Sequence, residues 1–186
     1  LAVQKDVEIT ATRTIYNFQA GKIDLKLSFT SPLLLDDLKL LSRPVSYISY
    51  QVKSNDGKQH AVKVFLSAST NIAVYKPSQE VLAEKYETAD MSILKAGTTE
   101  QPVLQKGADD MRIDWGYFYV ASPKKDAVRQ FVSSGAEAID LFRKDGAAVA
   151  KLKGTSLALN TIIPFGTVGK KEVERFVELG YDEVFA

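Results

Sequence analysis

The sequence has no cysteine, one histidine, one tryptophan and two methionines in 186 residues. Without cysteine there is no disulfide framework, no thiol nucleophile and no thiolate metal ligand, and every redox compartment stays open. A single histidine, His60, excludes zinc sites built from several His or Cys side chains, so no metal and no cofactor is expected. An excess of one charge sign is missing too. The 24 Lys and Arg residues against 23 Asp and Glu leave a formal charge of +1, which supplies no field for nucleic acid or anionic membrane, and neither is expected as a partner. No apolar run approaches the roughly 20 residues of a spanning helix, and a soluble chain is predicted. Gly154, Gly166 and Gly169 lack the spacing of a phosphate-binding loop, and no serine sits in a nucleophile elbow. Repeats, low-complexity tracts and linker compositions are absent. A chain of this length can bury roughly 70% of its unfolded surface, so residues 1–186 are expected to form one domain.

What the sequence does have is alternation. Ile23, Leu25, Leu27 and Phe29 alternate with Asp24, Lys26, Ser28 and Thr30, the pattern of a half-buried strand, and this run should pair with the strand-forming stretch before it, from Val7 to Phe18. Leu33 to Ser42 reads as a connection. Val45–Lys53 and Gln59–Ser67 flank Asp56-Gly57, a preferred central pair of a type I′ turn, which predicts a hairpin with Val52 opposite Ala61, Tyr50 opposite Lys63 and Ile48 opposite Phe65. Asn71–Tyr75, Gln79–Tyr86 and Met91–Ala96 read as three further short strands. From Ile113 the chain alternates again: Ile113, Trp115, Tyr117 and Tyr119 on one face, Arg112, Asp114, Gly116, Phe118 and Val120 on the other. Gly116 leaves a place where another backbone could come close. Between Ser122 and Asp145 the period changes to one suited to one or two short helices, and Thr155–Pro164 returns to a strand. Residues 170–181 fit a strand, or a helix almost as well. The predicted class is mainly β: an antiparallel two-layer β-sandwich with one or two short helices.

Three groups invite a chemical reading, each beside a plainer one. His60 follows the predicted turn and reads as a solvent-facing strand histidine. Asp109, Asp110 and Asp114 are the densest carboxylates and could divide acid and base roles, although Asp-Asp after Gly107 is also an ordinary turn sequence. Trp115, Tyr117 and Tyr119 could be a stacking platform for sugar rings, which would make the chain a carbohydrate-binding module, but a stripe that includes Ile113 reads first as core. Arg112 and Asp114, expected two apart on one strand face, should lie at a solvated edge able to share a charge-assisted hydrogen bond or face a partner.

Six stretches in order together resemble the N-terminal β domain of the glutaminase A-type family. They are Leu27-Ser28-Phe29-Thr30-Ser31-Pro32, Leu41-Ser42-Arg43-Pro44-Val45-Ser46-Tyr47, Asp56-Gly57-Lys58, Thr99-Glu100-Gln101-Pro102-Val103-Leu104, Asp109-Asp110-Met111-Arg112-Ile113-Asp114-Trp115-Gly116 and Gly180-Tyr181-Asp182-Glu183. The likeness covers about Ile15 to the end and is weakest over Val128–Lys144. It implies the N-terminal β-sandwich of a microbial, here bacterial, amidohydrolase that hydrolyses glutamine to glutamate and ammonia, with the main catalytic acids in a helical-toroid domain that would follow. The apolar end at Tyr181–Ala186 reads as a cut, and the start at Leu1 as a targeting peptide removed or never included. The expectation is thus an inactive fragment of a secreted or periplasmic, multidomain hydrolase. Its partner would be that C-terminal helical domain, with Asp109, Asp110, Arg112, Asp114, Trp115, Arg43 and Tyr47 as the docking surface or active-site rim, and with no catalytic residue of its own.

Overall fold

The computed structural model describes residues 1–105, 107, 112–144 and 149–184. It is mainly β and antiparallel. The strands are β1 (Val3–Ile9), β2 (Arg13–Ala20), β3 (Ile23–Thr30), β4 (Val45–Ser54), β5 (His60–Ser69), β6 (Val81–Glu87), β7 (Met91–Thr98), β8 (Gly116–Pro123), β9 (Arg129–Ser134), β10 (Lys151–Gly154), β11 (Leu157–Val168) and β12 (Val173–Glu183). Two short helices join them, α1 (Leu38–Leu41) and α2 (Ala138–Arg143). Hydrogen bonding orders the strands as β1-β2-β3-β4-β12-β8-β7-β6-β10 in one sheet and β5-β11-β9 in a second, the sandwich class predicted. The chain divides into two compact units, Leu1–Val64 with Pro164–Leu179, and Phe65–Ile163 with Gly180–Ala186.

In the first unit, β2 and β3 pair as the alternation predicts, from Arg13↔Thr30 to Ala20↔Ile23. The predicted β4–β5 hairpin does not form. β4 pairs instead with β3, which sets Val52 against Leu25, Tyr50 against Leu27 and Ile48 against Phe29, while β5 joins the other sheet. Packing explains the choice: β3 offers an apolar partner at all three positions, whereas β5 would have offered Lys63 to Tyr50. The inward side chains of β4 are buried, with Val52 at 1% exposure, and burial pushes the Tyr50 phenol up to about 12. Of the expected type I′ pair only Gly57 has positive φ and Asp56 does not, so the chain bends here without forming that turn. Asp56 Oδ1 accepts from the Lys58 amide and from Ser54 Oγ, both at 2.9 Å, and lies 2.9 Å from His60 Nε2. These contacts, His60 foremost, hold the Asp56 carboxyl well below the usual carboxylate range. His60 is thus a turn-bracing residue rather than a freely solvated one.

Gly57 adopts φ +77°, the left-handed region where a Cβ is strained. A side chain there would also meet Lys170 Cε at 3.0 Å, a flexible neighbour that can move aside. Gly57→Val should therefore lower stability by on the order of 1 kcal/mol, the scale of placing a β-branched residue in that region. Chemical denaturation checks this, and an unchanged midpoint would show that the turn tolerates a Cβ.

The second unit is built on β6, β7 and β8, paired from Val81↔Thr98 to Glu87↔Ser92 and from Met91↔Pro123 to Ala96↔Phe118. Its core holds Val81, Ala83, Leu94, Ala96, Phe118, Val120, Phe131, Val132, Leu157 and Leu159, all buried. Each of the larger of these contributes roughly 1.5–3 kcal/mol by leaving water. Asn71–Tyr75 is not a strand: Thr70–Ala73 forms a 3-10 turn capped by Ser69 Oγ accepting from the Asn71 amide. Arg129–Ser134, expected to be helical, is β9; its apolar residues are buried together against β11, which a helix facing the core on one side would not require. The helix prediction between Ser122 and Asp145 is met by α2. The last segment is a strand, β12.

Candidate functional site

Three of the motif stretches singled out in the sequence meet inside the second unit. β7 ends at Thr98, the chain turns through Gln101, and residues 112–115 lead into β8, beside the Gly180–Glu183 end of β12. The strand expected from Ile113 begins only at Gly116, because the preceding residues spend their polar groups elsewhere. Asp114 is 1% exposed, and its Oδ2 accepts from Gln79 Nε2 at 2.6 Å. Gln79 is itself fixed, its Oε1 accepting from the amides of Tyr75 at 2.7 Å and Lys76 at 2.9 Å. The Asp114 carbonyl accepts from Thr98 Oγ1 at 2.7 Å, and that hydroxyl also accepts from the Gln101 amide. Gln101 Nε2 then donates to the carbonyls of Thr98 and Gly116, at 2.9 and 3.2 Å, tying the end of β7 to the start of β8.

Tyr181 completes the arrangement. Its hydroxyl donates to the Ile113 carbonyl at 3.2 Å, and burial, with Glu183 and Asp114 adding negative charge, pushes the phenol up to about 12. It is therefore a neutral donor at any physiological pH. Gly116 and Gly97 let these backbones approach. A Cβ on Gly116 would stand 2.7 Å from the Asp182 carbonyl oxygen, and one on Gly97 would stand 2.5 Å from that of Gly116. The close approach predicted at Gly116 is thus present.

The expected solvated edge is corrected on this geometry. Arg112 is exposed, whereas Asp114 and Trp115 are buried, so Arg112 and Asp114 do not share a strand face. Asp109 and Asp110 lie outside the described residues. Arg43 and Tyr47 belong to the first unit: Arg43 is exposed, and its charge offsets part of the upward shift that burial imposes on Glu178, while Tyr47 is half-buried, its ring 6.0 Å from that of Phe176. The aromatic stripe is also divided. Trp115 is core, and along β8 the buried face is Gly116, Phe118 and Val120, leaving Tyr117 and Tyr119 half-buried on the opposite one. Their rings are inclined by 60° with centroids 6.4 Å apart, and Lys95 Nζ sits 3.7 Å from the Tyr117 centroid, which is not a flat stacking platform.

Sequence reasoning missed Gln79, Thr98, Gln101 and Tyr181 as the partners of this cluster. The paired glycines 97 and 116 were the available signal, since two residues without side chains near aromatic neighbours mark a place where backbones converge. Among the described residues, no three His, Cys, Asp or Glu side chains come together as a metal-binding group.

The family described as "Domain of unknown function (DUF5127)" matches residues 12–186. Glutaminase A from Aspergillus oryzae is 26% identical over 145 residues, which is 77% of this chain and 21% of that protein. The chain therefore spans about a fifth of the length of this curated relative. Among solved structures, heparan sulfate lyase HepC from Pedobacter heparinus aligns with 98% of this chain and 22% of its own, at 9% identity and a TM-score of 0.45. A mutant of the same lyase aligns over the same shares at 7% identity and a TM-score of 0.46.

Proposed function

Since the chain belongs to the DUF5127 family, we propose that it is the non-catalytic β domain of a larger, exported glutaminase-like amidohydrolase, supporting a separate helical domain that carries the chemistry. The similarity to Glutaminase A, spread over 77% of the chain, supports the parentage. The observation that carries the non-catalytic role is Asp114. It is the one carboxylate of the Asp109, Asp110 and Asp114 group among the described residues, and it is buried against Gln79. A general acid or base has to reach a proton on its substrate, and a carboxylate committed to an internal carboxamide does not. In this reading Asp114 leaves the docking surface and becomes its internal support. The exposed Arg112, with Asp109 and Asp110 close by in sequence, faces the helical domain.

The isolated chain should release no ammonia from glutamine above the buffer rate, as read by a coupled glutamate dehydrogenase assay. In this reading the chemistry belongs to the helical domain, not to this one. Turnover that disappears in Asp114→Asn would overturn the reading and place the chemistry in this domain.

A further inference from the structure

We propose that the first unit binds a neutral saccharide on the sheet face opposite Ile48, Tyr50 and Val52, in a hollow walled by Tyr47 and Phe176. The hollow measures about 330 Å³, within the range of small-molecule sites. The ladder builds it in rows: Arg13, Thr30 and Tyr47 stand side by side across β2, β3 and β4, and Ile15, Ser28 and Ser49 form the next row. β12, hydrogen-bonded to β4, adds Glu174 and Phe176. Ile15 is only 8% exposed although it lies on this polar face, so it makes an apolar floor. Tyr47 and Phe176, both half-buried and inclined by 56°, make an apolar wall.

The polar side chains around that floor are uncommitted. Among the described residues, those of Arg13, Lys26, Gln51 and Glu174 make no hydrogen bond or ion pair, and neither do the hydroxyls of Ser28, Thr30 and Ser49. The adjoining hollow, which shares Lys26 and Gln51, is different: there Asp6 accepts from Asn17 at 2.6 Å and Asp24 from Asn55 at 2.8 Å, so two of the carboxylates that line it are already used.

The type of free group selects the ligand. Arg13 and Lys26 only donate, Glu174 only accepts, and Gln51 with the three hydroxyls does both, so a complementary ligand must donate and accept at several points around one small body. Sugar hydroxyls do this. Two cations beside one carboxylate are not the cage an anion requires, and the ring pair offers the apolar C–H face of a pyranose a surface to lie against. This surface is separate from the Tyr117 and Tyr119 strand.

The test is a titration of the isotope-labelled chain with glucose, galactose, N-acetylglucosamine and maltose, with inorganic phosphate as the anion control, followed by amide shifts and saturation transfer. The expected result is that at least one sugar moves the amides of Tyr47, Ser49, Gln51 and Phe176 and receives saturation from the two rings. Gln51→Ala and the exposed Glu174→Gln should each weaken that binding about ten-fold, the effect of losing one hydrogen bond to a polar or charged group, with unchanged circular dichroism. The proposal is overturned if no sugar perturbs these residues, if phosphate perturbs them more strongly, if the shifts fall on Tyr117 and Tyr119, or if both variants bind as the parent does. Glutamine turnover plays no part in this readout, so failure here leaves the proposed non-catalytic role standing.

Discussion

Asp114→Ala should lower the unfolding free energy by about 3 kcal/mol, because it removes a buried carboxylate from a donor that has no other place to go. Gln79 Nε2 lies 2.6 Å from Asp114 Oδ2, and the Gln79 carboxamide cannot turn away while its oxygen is held by the amides of Tyr75 and Lys76. Truncation thus leaves a half-buried amide hydrogen without this partner, and the loss exceeds that of the bond alone. With a urea slope on the order of 2 kcal/mol per molar, the midpoint should fall by about 1.5 M. Asp114→Asn keeps an oxygen acceptor for Gln79 and should cost about half as much. A loss below about 1 kcal/mol for the alanine variant would mean that Asp114 is a solvated edge residue after all, and the supporting role assigned to it would fail.

The same residue shows where sequence reading stops. Asp114 stands in a charge-rich stretch, and charge density along a chain predicts exposure unless a partner is known. One partner, Gln79, lies 35 residues earlier, at the start of a stretch whose own pattern reads as a strand. The Asp56-Gly57 turn illustrates the same boundary from the other side. The backbone demand for φ > 0 is local, so Gly57 is legible, but the partner of β4, the strand before the turn, is decided by which neighbour offers apolar residues in register, a non-local contest that β3 wins over β5. In β8 the period of two holds, but the buried row is Phe118 and Val120 and not the aromatic Tyr117 and Tyr119 row that the pattern predicts as core. The hollow beside Tyr47 was not legible at all: it draws on β2, β3, β4 and β12, and nothing in the sequence places Glu174 and Phe176 next to Tyr47 before β12 is known to pair with β4.

Gly116 is the position where the local code and the tertiary contact coincide, and Gly116→Ala is expected to be among the costliest single-methyl additions in this chain. The added Cβ would sit 2.7 Å from the Asp182 carbonyl oxygen, 2.8 Å from Tyr181 Oη and 2.9 Å from Tyr181 Cε1. The first of these is backbone in a hydrogen-bonded neighbour strand and cannot rotate away, so the β12 end must move off β8. On the other side the Gly116 carbonyl is held by Gln101 Nε2 and faces Gly97, which leaves β8 no room to retreat. Overpacking of this kind costs about 3 kcal/mol, the upper part of the usual range, because neither backbone can relax alone. Gly107→Ala is the matched control: a Cβ there meets nothing within 4 Å, and its effect should stay within about 0.5 kcal/mol. A second readout separates local displacement from general weakening. Burial holds the Tyr181 phenol near 12, so if Gly116→Ala pushes β12 outward, the phenol becomes more solvated and its titration should fall back toward the ordinary tyrosine value of about 10, as followed by ultraviolet absorbance. A Gly116→Ala variant with the parent's stability and an unmoved Tyr181 titration would show that β8 and β12 do not approach as closely as described, and the buried cluster around Asp114 would lose the closure that Tyr181 provides.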